Sequence, residues 1–142
     1  MGSLGPKLAS AVYWSPTWPY KSSLTGISSK DLGNGYQNSS KKQWNQQLGA
    51  SLALFDVAAA VLKASGNPKD KSKVAEAMKT LSVQTPLGTL KWGSGPVPNV
   101  VATPIIGGQW LKSTRYPVDF TICENSSDPN VPIAGKLSPY GG

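Results

Sequence analysis

One stretch of this chain is apolar for long enough to organise a core: Lys41 to Gly66, KKQWNQQLGASLALFDVAAAVLKASG. It contains no proline. Leu48, Leu52, Phe55, Ala59 and Leu62 recur at i, i+4, i+7, i+11 and i+14, the spacing of one α-helical face. Leu54, Ala58 and Val61 add a second apolar face about half a turn away. A helix apolar on two sides is expected between layers rather than on a surface. Gly66-Asn67-Pro68 supplies the stop, with glycine suited to a left-handed C-terminal position and proline after it. The start, Gln43-Trp44-Asn45-Gln46-Gln47, is polar and aromatic. Two readings fit this helix: a plain core helix, or one whose amide-rich N-terminal end faces a ligand.

Elsewhere the apolar runs are short. Ala11 to Trp14 predicts a strand, ended by Pro16 and Pro19, which force a stiff extended loop. Tyr13, Trp14, Trp18 and Tyr20 crowd into that segment. It reads either as a loop packed on its own domain or as the aromatic wall of a small-molecule pocket. Ser28 to Gln37 predicts a helix, with Ser28 or Ser29 as N-cap. Gly33 and Gly35 fall inside it and each cost about 1 kcal/mol relative to Ala, so fraying or distortion is expected. Lys71 to Leu81 predicts a shorter amphipathic helix, with Val74, Met78 and Leu81 on one face and Asn67-Pro68 or Asp70 at its start. Thr85 to Gly88 reads as a turn, and Thr89 to Trp92 as a strand with Leu90 and Trp92 inward. Val100 to Ile106 and Gln109 to Lys112 read as extended, with Gly107-Gly108 either a hairpin turn or a bulge. Val118 to Cys123 is the last predicted strand, and an irregular tail follows from Asn125. The order is strand, three helices, then several strands: an α/β chain whose helices need a sheet to cover them.

Composition narrows the chemistry. At 142 residues there is room for one domain, and 15 glycines with 12 prolines call for many loops and short elements. No apolar run is read as reaching the roughly 18 to 20 residues of a membrane span. The opening MGSLGPKLAS lacks the basic and apolar leader pattern and reads as a lead-in segment. Net charge is +7, yet every basic residue except Arg115 is a lysine and the lysines are spread along the chain. Bidentate readers of bases and phosphates are usually arginines, so no nucleic-acid partner is expected. There is no histidine and a single cysteine, Cys123. Ser-His and Cys-His nucleophilic mechanisms are therefore excluded within this chain, as are an intrachain disulfide and a multi-cysteine metal site. No catalytic residue, metal or cofactor is expected. The glycines of Gly93-Ser94-Gly95-Pro96 are not a phosphate cradle, since no Lys-Ser/Thr pair follows them.

Six stretches carry a family resemblance: YWSPTWPYKSSLTG (13–26), KQWNQQLGASLALFDVAAAVLKASG (42–66), KSKVAEAMKTL (71–81), TPLGTLKWG (85–93), VATPIIGGQW (101–110) and YPVDFTICENSSDPNVPIAGKLSPY (116–140). In this order they resemble the C-terminal part of a type I periplasmic solute-binding protein of an ABC importer, in the branch of branched-chain and amide-type amino-acid receptors. The sequence departs from relatives in the glycine-bearing segment 31–40 and at Cys123, where relatives usually carry an aliphatic residue.

The resemblance implies part of a two-lobed α/β receptor that closes over its ligand by hinge bending. Residues 1–10 would be the lead-in, 11–115 a portion of one Rossmann-like lobe, and 116–142 a crossover strand and tail belonging to the other lobe. It implies an extracytoplasmic, periplasmic solute-binding component taking an amino-acid-like, aromatic or amide solute between the lobes. Its partners would be that solute, a membrane permease and the remainder of the receptor chain, which would cover the second helix face. Tyr13, Trp14 and Trp18 would form the aromatic wall, with Gln46 and Gln47 offering amide hydrogen bonds. A ligand-sensing module of the same fold, or an isolated non-binding fragment, is the alternative.

Overall fold

The computed structural model describes residues 6–139, arranged as two compact units. The larger runs from Trp14 to Thr103, and the other combines the flanking segments that end at Tyr13 and begin at Pro104. The expected division at residue 115 is therefore not where the chain parts. The lead-in is shorter than expected as well, because Ala9 and Ser10 already belong to a strand.

In the larger unit, helix α1 (Ser29–Ser40) starts at Ser28, whose hydroxyl accepts the Asp31 N–H at 3.1 Å and donates to the Asp31 carboxylate at 2.6 Å. This reciprocal cap satisfies one of the helix's free donors. The expected distortion is absent: the helix is continuous through Gly33 and Gly35. Gly33 has a packing reason, since a Cβ there would lie 2.5 Å from Pro16 Cγ. Lys41, with φ of 60°, closes the helix by donating to the Gln37 carbonyl.

Helix α2 (Gln47–Ala64) begins six residues after Lys41, so the polar aromatic lead-in is not helical. Its buried side is Gly49, Ala53, Asp56, Val57 and Val61, not the leucine-rich stripe. Leu54, Phe55 and Leu62 are 69%, 64% and 44% exposed. Small residues face inward because bulky groups come close: a Cβ on Gly49 would overlap the Trp14 ring. The helix is 18 residues long with a mean hydropathy of 1.4, which by length and composition is enough to cross a membrane, contrary to the expectation from sequence.

Helix α3 (Lys71–Lys79) is capped by Asp70, whose carboxylate accepts from the N–H groups of Ser72 and Lys73. Strands β2 (Ser82–Thr85) and β3 (Gly88–Lys91) form an antiparallel hairpin around Pro86-Leu87. Gly88 takes a φ of 106°, a conformation open to glycine and strained for other residues. Val57 and Val61 of α2 pack with Leu81, Val83 and Leu90, flanked by Val74, Met78 and Trp92. Burying each large aliphatic side chain of this cluster stabilises by about 1.5–3 kcal/mol.

In the other unit, β1 (Ala9–Val12), β4 (Ile106–Leu111) and β5 (Asp119–Glu124) form an antiparallel sheet in the order β1-β4-β5. The register shifts between Gly107 and Gly108, so this pair is a bulge rather than a turn. Of the stretch Val100 to Ile106 read as extended, only Ile106 belongs to a strand. Trp110 packs edge-on against Phe120, their centroids 5.2 Å apart. The buried Gln109 amide donates to the carbonyls of Lys7 and Ser138 and accepts the Ser138 N–H, which ties the irregular tail to the sheet. The chain is thus mixed α and β. Every pairing among the described strands is antiparallel, so the parallel sheet of a Rossmann-like lobe is not formed by them.

Candidate functional site

The site grows from the proline-rich loop of the larger unit. The Trp18 N–H bonds to the Ser15 carbonyl at 3.1 Å, and the Ser15 hydroxyl accepts the Thr17 N–H at 3.2 Å, so residues 15 to 18 make a tight turn. Pro16 is held under Gly33 of α1. Further along, the N–H and hydroxyl of Ser29 both donate to the Tyr20 carbonyl, and Lys21 bridges Ser28 in antiparallel fashion. Gly26, with φ of 74°, turns the chain between them. These bonds fix the aromatic loop against the first turn of α1.

Between them lies a cavity of about 750 Å³, lined by residues 16–21, Ser28, Lys30, Asn34 and Gln84. That volume is in the range of small-molecule sites, about 300–1,000 Å³. Trp18 and Tyr20 supply rings, Pro16 and Pro19 rigid apolar surface, and Asn34 an amide. The Gln84 amide, from β2, donates to the Thr85 carbonyl and accepts from the Thr89 hydroxyl. Trp18 is 3% exposed, and its indole Nε1 has no hydrogen-bond acceptor in the protein. A buried N–H left unpaired costs roughly 1–3 kcal/mol.

Of the five residues singled out from sequence, Trp18 alone lines this cavity. Trp14 is fully buried, 6.0 Å edge-on from Trp44, and its Nε1 donates to the Ser29 hydroxyl at 3.1 Å. Its ring is an internal pin between the aromatic loop, α1 and α2, with no surface for a solute to touch. Gln46 precedes α2 and makes no side-chain cap, and Gln47 is exposed at its first turn. Neither amide lines the cavity. Tyr13 ends the first segment of the other unit and is half-buried.

Sequence reasoning missed the contributions of Lys21, Lys30, Asn34 and Gln84, which come from three separate segments. It also missed Asp56. This carboxylate is buried on the inner side of α2, where Oδ1 accepts from the Ser22 hydroxyl at 2.6 Å and the Leu24 N–H at 2.8 Å. Its Oδ2 has no partner in the protein. Being the only acidic residue between Lys41 and Gly66 was the signal available. No group of His, Cys, Asp or Glu suited to a metal occurs among the described residues.

Comparison with known protein families and with curated proteins finds no match to this chain.

Proposed function

We propose that this chain binds a small solute, as part of the type I periplasmic binding-protein fold that its sequence resembles. The observation that carries the reading is the cavity beside the first turn of α1, lined by Trp18, Tyr20 and two prolines with the Asn34 and Gln84 amides beside them. Rigid rings and prolines lose little entropy on binding, while a few polar groups fix orientation. On this reading the protein is an extracytoplasmic solute receptor of an ABC importer, with a permease as its membrane partner. The exposed Leu54, Phe55 and Leu62 face of α2 is then the surface that the rest of the receptor chain covers.

Isothermal titration with amino acids, amides and aromatic acids tests the reading. Saturable binding is expected, weakened at least tenfold by Trp18→Ala. Binding that leaves Trp18 fluorescence unchanged and survives the substitution would place the solute elsewhere. No saturable heat from any class would remove solute binding altogether.

A further inference from the structure

The charges around this cavity are one-sided. Lys21 and Lys30 line it, and no aspartate or glutamate does. The carboxylate nearest in sequence, Asp31, receives the Ser28 hydroxyl. The ion pair recorded among the described residues, Glu76 with Lys79, lies on α3, so no carboxylate of the described residues pairs directly with Lys21 or Lys30. Two ammonium groups are therefore set around a cavity lined by aromatic rings and prolines. An aromatic pocket without cations would suit a quaternary ammonium through cation–π attraction, but two lysines beside the rings oppose a cationic guest.

We propose that the cavity takes a planar monoanion, an aromatic carboxylate, whose ring lies against Tyr20 and the flanking prolines and whose carboxylate is drawn to Lys21 and Lys30. This rests on the solute-binding reading above and narrows it to a ligand class. The net charge of +7 adds a favourable long-range field for an approaching anion. Both lysines are exposed, so each contributes at the scale of a surface ion pair, roughly 2- to 5-fold in affinity. Together they give benzoate about a tenfold preference over its uncharged isostere, and that preference shrinks as salt screens it.

The test is titration of the 142-residue chain with benzoate, benzamide and benzyltrimethylammonium at low and at physiological ionic strength, repeated on Lys21→Gln/Lys30→Gln. The expected result is benzoate tightest, weakened several-fold by added salt. The double lysine variant brings benzoate down to the benzamide level without changing benzamide. Benzamide or the ammonium binding as tightly as benzoate overturns the charge assignment and leaves solute binding standing. A benzoate preference unmoved by the lysine variant also overturns it, because the anion would then sit elsewhere. Binding by none of the three overturns the inference, and the wider solute-binding reading is then decided by the titration with amino acids and amides.

Discussion

Three glycines lie inside helices α1 and α2, and replacing them by alanine separates intrinsic helix preference from packing. Gly35 has nothing within 4 Å of the position its Cβ would take. Gly35→Ala should therefore stabilise by up to about 1 kcal/mol, the ordinary gain in a helix interior. At Gly49 the added methyl would overlap Cγ, Cδ1 and Cδ2 of Trp14. That ring cannot step aside easily, because it is fully buried, hydrogen-bonded to Ser29 and braced edge-on by Trp44. Overpacking of this kind costs about 1–3 kcal/mol, and a clash with ring atoms falls at the upper end. Less the helix gain, Gly49→Ala should destabilise by about 1–2 kcal/mol.

The two variants should therefore differ by about 2–3 kcal/mol, roughly 10 °C in Tm for a chain of this size. The unfolded-state entropy lost on replacing glycine is common to both and cancels in the difference. Urea denaturation followed by far-UV circular dichroism measures the gap. If Gly49→Ala is as stable as Gly35→Ala, Trp14 is not packed on α2, and its exclusion as a solute contact fails with it. If the gap appears, Trp14 is a structural pin, and solute affinity in Gly49→Ala should follow only the folded fraction.

Asp56→Ala should destabilise by about 2–4 kcal/mol, because it strips the Ser22 hydroxyl and Leu24 N–H of their acceptor. Asp56→Asn should cost less, since an amide oxygen still accepts both; equal losses in denaturant would refute this role. Glu124 titrates below its ordinary value of 4.5, held down first by the Ser126 hydroxyl and then by the Ser126 N–H. A carboxylate depressed in the fold contributes stability above its unfolded value and loses it as pH falls through the folded value. NMR titration should therefore show the Glu124 midpoint below 4.5 and rising in Ser126→Ala; a midpoint unmoved by that substitution would exclude the hydroxyl as the main cause.

Much of the fold was legible where a local rule decides it. Ser28 and Asp70 cap helices because a short oxygen-bearing side chain reaches the free N–H groups, and Gly66 with φ of 64° follows the last turn of α2. Other features depend on contacts distant in sequence. Gly33 looked like a helix breaker until Pro16 stood beside it, and Trp14 looked like a pocket wall until Trp44 and Gly49 enclosed it. The site was half legible for the same reason. Its aromatic side came from one crowded loop, whereas Lys30, Asn34 and Gln84 reach it only through the packing of α1 and the β2–β3 hairpin.

Helix α2 shows where periodicity fails and offers a decisive test. Counting large apolar residues picks Leu48, Leu52, Phe55, Ala59 and Leu62 as the inner face, yet the inner face is Gly49, Ala53, Asp56, Val57 and Val61. Size outweighed hydropathy there, because an approaching tryptophan needs room and a buried carboxylate needs the Ser22–Leu24 loop. The two assignments predict different costs at one residue. If Phe55 were core, Phe55→Ala would cost about 3–5 kcal/mol. At 64% exposure the substitution should stay within about 0.5 kcal/mol, whereas Val57→Ala, on the packed side, should cost about 1–3 kcal/mol. Chemical denaturation of the two variants in parallel reads the order directly. A larger loss at Phe55 than at Val57 would mean that α2 packs with its large-residue stripe inward, and Asp56 would then face solvent rather than anchor the loop beside the site.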